Sequence, residues 1–263
     1  MRRAAVIVAA AAALAFPPAT GAEPPRAGIV IPSTKPGTPL LQLGYQLYAG
    51  NCSSCHGSLG EGVAPRGRAA GSGDVRAAGP PLRGVGALAA DFYLRTGYMP
   101  LATPQTQPRR TRVLFSAREL AALVAYVASL GNGPAIPQPR PGSVAGGQRL
   151  FTEHCAGCHQ VVAQGGYLTG AVAPPLAPDS ATQIAEAVRI GPYLMPRFSE
   201  RTISNRQLDS IVAYVRAVDR APNPGGWGIG RLGPVPEGIV AWLIAGVALA
   251  GCCLVFGRRR AAR

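Results

Sequence analysis

Two five-residue stretches decide how this chain is organised: Cys52-Ser53-Ser54-Cys55-His56 and Cys155-Ala156-Gly157-Cys158-His159. A Cys-x-x-Cys-His run is typical of a covalent attachment site for c-type haem. The two thiols add to the vinyl groups of the porphyrin, and the histidine that follows becomes the proximal ligand of the iron. We therefore predict two covalently bound haem c groups, with His56 and His159 as iron ligands.

Two other kinds of site share this spacing. A Cys-x-x-Cys pair can be a redox dithiol, and it can be half of a structural zinc site. A zinc site would need two more ligands folded into the same tetrahedron. The presence of two copies, each followed by a methionine further along the chain, favours haem over both alternatives.

The second axial ligand of each iron follows from the inventory of histidines and methionines, of which the chain has three each. His154 directly precedes Cys155, so it is poorly placed to reach across its own haem, and we expect it at the surface. Met1 belongs to the leader, which leaves Met99 and Met195, each followed by proline. Proline restricts the preceding residue to extended conformations, which suits a loop that lays a thioether over a ring. We predict axial ligation by both, against the alternative that they fill the core.

Methionine ligation has a functional consequence. A thioether favours Fe(II) over Fe(III) relative to a second histidine, and so raises the reduction potential. Two filled axial positions leave no open site for peroxide or oxygen. The pattern therefore predicts outer-sphere electron transfer without catalysis by the chain alone, whereas the alternative of a dihaem peroxidase would require a haem that opens readily.

The landmarks around the two motifs recur in the same order, about 95 residues apart, which indicates two copies of one mainly α-helical fold. Each copy has a helix before the motif, a Pro-Pro-Leu loop, the methionine and a final helix. We expect capping boxes at Ser116 and Ser204, an N-cap at Thr38 and a short helix at residues 91–96. Gly44 and Gly147 are expected to let the first helix approach the last, where tyrosines pack. The paired stretches are 44–48 with 147–151, 79–82 with 173–176, 97–100 with 192–196, and 124–127 with 212–215.

The two ends of the chain point to a membrane. Residues 1–22 have the build of a secretory signal, since their apolar run is too short to span a bilayer core of about 30 Å; an uncleaved anchor is the alternative.

Residues 238–257 carry no charge and are followed by Arg258-Arg259-Arg260. By the positive-inside rule the C-terminus is cytoplasmic and the haem domains are extracytoplasmic. We divide the chain into a signal peptide (1–22), an extended lead-in (23–38), a first domain (39–133), a Pro-rich linker (134–142), a second domain (143–220), a juxtamembrane segment (221–237), a transmembrane helix (238–257) and a cytoplasmic tail (258–263).

The net charge of +14 does not indicate a nucleic-acid partner. Two of the arginines lie in the leader and four in the tail, so the middle of the chain carries +8. Its arginines are scattered among Gly, Ala and Pro without interleaved aromatics, unlike a nucleic-acid-binding surface. We expect contacts with membrane lipid and with acidic protein surfaces, and no nucleic acid.

Each repeat resembles a class I cytochrome c domain: a helix leading into Cys-x-x-Cys-His, a Gly-Pro-x-Leu loop, an axial Met and a C-terminal helix. The resemblance implies that the carbonyl of the loop proline accepts a hydrogen bond from the proximal histidine. The matching residues here are Pro80 for His56 and Pro174 for His159. The second repeat departs from the pattern in having Ala173 where glycine is expected.

Beyond these landmarks, the whole chain resembles the dihaem cytochrome c subunits of actinobacterial menaquinol–cytochrome c reductases. The runs 191–199, 224–226 and 233–238 carry this likeness, because a generic cytochrome c does not need them. It implies a cytochrome b subunit, a Rieske iron–sulfur subunit and a haem–copper oxidase as partners, and a place in a proton-translocating oxidoreductase. By that likeness the N-terminal haem takes electrons from the Rieske centre and the C-terminal haem delivers them to the oxidase. The alternative is the cytochrome subunit of an exported, membrane-bound dehydrogenase.

Overall fold

The chain forms two compact units, Met1–Ile136 and Pro137–Arg263, each with its own core. The computed structural model describes residues 28–33, 35, 37–64, 78–101, 106–219 and 234–261. The predicted signal peptide, the start of the lead-in, most of the juxtamembrane segment and the last two residues lie outside the described residues. The mainly α-helical class is confirmed in both units.

The described part of the first unit contains four helices: α1 (Leu40–Asn51), α2 (Ser53–His56), α3 (Gly86–Arg95) and α4 (Ala117–Ser129). α1 packs against α4, since each buries one apolar face with the spacing of an amphipathic helix. α3 begins five residues before the predicted Asp91 because Leu88 extends the buried face that also holds Phe92. The core consists of Leu43, Leu47, Tyr48, Ala90, Ala122, Leu123, Val124, Tyr126 and Val127.

The helix starts differ in how they are capped. Ser116 and Glu119 form the predicted capping box on α4. The prediction of an N-cap at Thr38 is wrong, because its hydroxyl donates to the carbonyl of Lys35 at 2.8 Å. The first intrahelical hydrogen bond of α1 therefore runs from Leu43 N to Pro39 O, without a side-chain cap.

The core of the second unit is built by α5 (Val144–His154) and α6 (Ala156–His159), followed by α7 (Ala181–Ile190) and α8 (Asn205–Asp219). Between α6 and α7 lies a hairpin that the sequence did not predict, formed by β1 (Gly166–Leu168) and β2 (Ala171–Ala173) in antiparallel register. The capping box predicted at Ser204 is present, and Ser180 forms another at the start of α7. The core consists of Phe151, Cys155, Ala163, Ile184, Ala185, Val188, Ile203, Leu208, Ile211, Val212, Tyr214 and Val215.

Two glycines determine how closely the first and last helices of each unit cross. A Cβ on Gly44 would overlap the backbone carbonyl of Ala122 and lie 2.8 Å from Tyr126 Cβ. A Cβ on Gly147 would overlap the carbonyl of Ser210 and lie 2.8 Å from Tyr214 Cβ. The expectation that these glycines permit the α1–α4 and α5–α8 contacts is confirmed.

The ends of the Pro-rich stretch 134–142 are held by the units to which they belong. In the first unit, Leu88 N donates to Pro134 O at 3.1 Å and Ile136 packs against the core. In the second unit, Arg140 N donates to Asp209 Oδ1 at 2.9 Å. Contacts of each domain therefore reach into the stretch predicted as a linker, whose bounds stay a prediction.

The last helix, α9 (Pro234–Ala261), extends beyond the predicted span at both ends. Its segment Gly238–Gly257 has a mean hydropathy of 2.6. Within the described part of the chain it alone is long and apolar enough to cross a membrane. The side chains of this segment are almost all exposed, and Trp242 is 80% exposed. A buried core helix is therefore excluded, and the anchoring role predicted for this stretch is supported.

Candidate haem sites

Both Cys-x-x-Cys-His motifs adopt the same one-turn geometry at the end of the first helix of their unit. His56 N donates to Cys52 O at 3.0 Å, and His159 N donates to Cys155 O at 2.9 Å. In each motif the second cysteine also donates its N–H to the carbonyl of the first, at 3.1 Å. This turn presents two thiols and one imidazole on a single short segment, as attachment of one porphyrin requires.

The imidazole of each motif is oriented by a proline carbonyl. Nδ1 of His56 lies 2.8 Å from Pro80 O, and Nδ1 of His159 lies 3.1 Å from Pro174 O. A carbonyl can only accept a hydrogen bond, so Nδ1 carries the proton and Nε2 keeps its lone pair for a metal. Burial lowers the pKa of His159, which favours the neutral form that a metal needs.

The loop before each proline differs between the units. In the first, a Cβ on Gly79 would lie 2.6 Å from the carbonyl oxygen of Cys55, so glycine is needed there. In the second, Ala173 occupies the matching place inside β2 and pairs with Gly166. In both units the residue before the proline is paired antiparallel, Gly79 with Val63 and Ala173 with Gly166, and Pro174 O reaches His159 without the glycine of the pattern.

Met99 and Met195 follow the third helix of their units, α3 and α7, and both are partly exposed. Met195 packs against the core of the second unit, and its N–H donates to Pro192 O at 3.0 Å. Met99 N lies 3.4 Å from Tyr93 O. His154 is exposed, as expected, and its Nε2 lies 3.9 Å from a carboxylate oxygen of Glu153. The ligand roles of Cys52, Cys55, His56, Met99, Cys155, Cys158, His159 and Met195 stay predictions.

The environment of the cysteines disfavours the redox-dithiol and zinc alternatives. Burial, with a smaller contribution from the neighbouring cysteine, raises the pKa of Cys52 to about 11 and that of Cys155 to about 11. A redox-active cysteine has a lowered pKa, whereas the pKa of Cys52 and of Cys155 is raised, which disfavours the redox dithiol. Among the described residues, no three His, Cys, Asp or Glu side chains are grouped to hold a metal ion. The donors present fit haem c, which needs two thiols and an imidazole.

Each motif is also held by a tyrosine hydroxyl that the sequence did not reveal. In the first unit, Tyr48 on α1 donates to Gly57 O at 2.7 Å. In the second, Tyr214 on α8 donates to Val161 O at 2.8 Å. Burial is the main reason that the pKa of Tyr48 rises to about 12, so its hydroxyl stays protonated and donates throughout the physiological range. The stabilising tyrosine thus lies on the first helix in one unit and on the last helix in the other. In both units it holds the segment that directly follows the motif.

Replacement of Tyr48 or Tyr214 by Phe is expected to lower the free energy of unfolding by about 1 kcal/mol, because the carbonyl it served loses its partner. Urea unfolding of the haem-loaded protein, followed at the Soret band, measures this loss. Tyr167, which is 92% exposed on the hairpin, provides a control. An equal loss in Tyr167→Phe would contradict the explanation.

Gln160, the residue after the second motif, has φ 59° and ψ 161°, a region that is almost exclusive to glycine. The matching residue of the first motif, Gly57, has φ 80° and ψ 161°. Gln160→Gly is expected to stabilise the protein by about 1 kcal/mol, since relief of strain outweighs the added entropy of the unfolded chain. Thermal unfolding measures the gain. Gln160→Ala keeps the Cβ and therefore the strain, so an equal gain from both variants would show that strain is not the cause.

Comparison with known proteins gives two kinds of match: protein families that match one domain each, and single proteins that match both domains together. Residues 41–131 match the family described as cytochrome c. Residues 142–215 match the family described as cytochrome C oxidase, cbb3-type, subunit III. Each matched stretch contains one Cys-x-x-Cys-His motif and its proline loop. Two cytochrome c domains are therefore confirmed, and such domains carry covalently bound haem c.

Longer matches cover both domains together. The cytochrome bc1 complex cytochrome c subunit of Mycobacterium tuberculosis (strain ATCC 25618 / H37Rv) is 37% identical over 231 residues, which are 84% of this chain and 78% of that protein. The chain belongs to this family. The subunit of Corynebacterium diphtheriae is 35% identical over 240 residues (84% and 81%), and that of Mycobacterium leprae is 36% identical over 231 residues (84% and 76%). Membership in the cytochrome bc1 complex cytochrome c subunits establishes an electron-transfer cytochrome.

Proposed function

We propose that this chain is a membrane-anchored dihaem c-type cytochrome that carries electrons from the Rieske centre of a menaquinol-oxidising bcc complex to a haem–copper oxidase. The observation that carries the proposal is the pair of motif turns with the same backbone hydrogen bonds, each with its imidazole Nδ1 on a proline carbonyl. One such turn in each of two domains provides for two haems in one chain.

The residues that would hold the haems follow from the motif geometry. Cys52 and Cys55 would form the thioethers of the first haem and Cys155 and Cys158 those of the second. Each bound haem supplies a one-electron carrier that cycles between Fe(III) and Fe(II). His56 and Met99 would be the axial ligands of the first iron, and His159 and Met195 those of the second.

The surrounding side chains suit electron transfer with little rearrangement. Pro80 and Pro174 fix the tautomer and the ring orientation of the histidines, as outer-shell partners of metal ligands commonly do. Tyr48 and Tyr214 hold the backbone at the exit of each motif. Cys155 and His159 are buried and Cys52 packs against the core of the first unit, which shields part of each motif from water and limits the solvent reorganisation that accompanies a change of charge.

The partners are inferred from the family. The relatives are named as subunits of the cytochrome bc1 complex. We extend this to a cytochrome b subunit, a Rieske subunit and a haem–copper oxidase. In this arrangement the N-terminal domain would receive electrons from the Rieske centre and the C-terminal domain would deliver them to the oxidase copper site. The two domains would then replace a diffusing cytochrome c.

Orientation in the membrane rests on α9 and the arginines at its end. With Gly238–Gly257 in the bilayer, Arg258, Arg259 and Arg260 favour a cytoplasmic C-terminus by the positive-inside rule. Both haem domains then lie on the extracytoplasmic side, together with the Rieske and oxidase sites that they serve.

Purification of the tagged chain in a mild detergent tests the proposal. Cytochrome b, the Rieske protein and the oxidase are expected to co-purify with it, and the intact assembly should oxidise menaquinol with reduction of oxygen. Co-purification with an exported dehydrogenase instead would favour the alternative function. Haem staining and the iron content should give two haems per chain, and a value of one would contradict the dihaem assignment.

A further inference from the structure

Arg189, in the last turn of α7, connects three separate points of the second unit. Its Nη1 donates to Phe198 O at 3.1 Å and to Ile203 O at 2.8 Å, and its Nη2 donates to Asn205 Oδ1 at 2.8 Å. These acceptors lie after Met195 and extend to the first residue of α8. One guanidinium thereby ties the far end of the methionine loop, residues 191–204, to the helix at its near end.

The near end of the loop is fixed as well. Gly191 ends α7 with φ 66°, and a Cβ there would lie 2.6 Å from Arg197 N and 2.8 Å from Met195 O. Phe198 N donates to Val188 O at 3.0 Å, so the chain returns to α7 three residues after the methionine. Met195 therefore lies on a short closed turn, and Arg189 holds the part of the chain that closes it.

Arg189 is suited to this task by its charge and its partial burial. Burial lowers its pKa and the nearby Glu200 raises it, but a guanidinium stays protonated in either case. Its planar fork can donate to several acceptors at once, which an ammonium group on a flexible chain cannot do with the same geometry. Hydrogen bonds from a charged donor are roughly twice as strong as neutral ones.

The first unit has an arginine at the matching helix position that does something different. Arg95 Nε lies 2.6 Å from Oδ1 of Asp91, one turn earlier on α3. This ion pair lies within one helix, and no described hydrogen bond joins Arg95 to the chain after Met99. The two arginines thus occupy equivalent places, and the described contacts make only Arg189 a link to a methionine loop.

We propose that Arg189 is a positioning residue that holds Met195 over the second haem. The inference rests on the proposed function, since it takes Met195 to be an axial ligand. A thioether is a weak ligand for Fe(III), so its occupancy depends on how firmly the loop holds the sulfur in place. Without Arg189 the loop should open more often, and an external ligand should then compete for the iron.

Imidazole binding to the oxidised, haem-loaded full-length chain in detergent tests this role. The shift of the Soret band on titration with imidazole reports binding, and the titration is done well below the unfolding temperature of each variant. The variants are Arg189→Gln, Arg189→Lys, Arg95→Gln and Met195→Ala. We expect Arg189→Gln to raise the imidazole affinity of one haem of the two at least tenfold. Arg189→Lys should give an intermediate increase, and Arg95→Gln should match the wild type.

The outcomes separate the inference from the proposed function. An unchanged affinity in Arg189→Gln, alongside a raised affinity in Met195→Ala, would overturn the positioning role and leave the ligand assignment intact. An unchanged affinity in Met195→Ala would overturn the ligand assignment and the inference with it. A purely structural role predicts a lower unfolding temperature with wild-type affinity, which would also overturn the proposal. If Arg189→Gln does not take up haem, Arg189→Lys is judged by the same criterion.

Discussion

Replacement of Met195 by His is expected to lower the midpoint potential of one haem strongly and to leave the other nearly unchanged. The thioether stabilises Fe(II), whereas a second imidazole stabilises Fe(III), so the exchange favours the oxidised form. Axial ligands set haem potentials over a range of about 0.8 V, and we expect a drop of about 0.1 V or more. Because Met195 and Met99 lie in separate units, each substitution should act on its own haem.

A spectroelectrochemical titration of the purified chain measures both potentials in one experiment. Met99→His provides the matched variant, and it should move the potential that Met195→His leaves in place. Met1 lies in the predicted leader, so we expect it to compensate for neither loss. If neither substitution moves a potential, the axial assignment of the methionines is wrong; if each moves both, the haems are not independent.

Gly147→Ala is expected to lower the free energy of unfolding by about 3 kcal/mol, the upper part of the usual range for overpacking. The added Cβ would overlap the backbone carbonyl of Ser210 and lie 2.8 Å from Tyr214 Cβ, and neither can move without separating α5 from α8. Alanine favours a helix over glycine by about 1 kcal/mol, so the packing penalty must exceed this gain. Because folded proteins have total free energies of unfolding of about 5–15 kcal/mol, this loss would remove a large share of the stability.

Gly146→Ala is a closely matched control, since it makes the same exchange one residue earlier on α5. A Cβ there would lie 3.3 Å from Ser143 Oγ, the end of a small side chain, and meet no backbone. Its stability should equal or slightly exceed that of the wild type in chemical unfolding followed by circular dichroism. Equal losses in both variants would show that helix crossing is not the cause. Gly44→Ala should repeat the result of Gly147→Ala in the first unit.

The features that the sequence predicts best are those whose chemistry requires a fixed local pattern. The motif turns, the capping box at Ser116 and the crossing glycines each follow from residue types at short spacing. The contact between the first and last helices was also predictable, because both repeats have a glycine at the same place, Gly44 and Gly147.

The features that the sequence does not reveal depend on contacts between distant segments. Arg189 appears as an ordinary basic residue in a last turn, because its acceptors are 9 to 16 residues away. Asn51 is the last residue of α1, yet its side-chain Oδ1 accepts from Val30 N and its Nδ2 donates to Val30 O. The hairpin at residues 166–173 has strands of three residues, too short for an alternating pattern to stand out.

Each of the two cores is made from one unbroken stretch of chain, with α1 to α4 in one half and α5 to α8 in the other. With both haem domains on the extracytoplasmic side, as we propose, a protein built in this way can mature progressively during export. The leading half contains all the contacts of its own core, so it can close before the trailing half has left the membrane. Haem attachment can accordingly proceed one site at a time, in the order in which the motifs emerge.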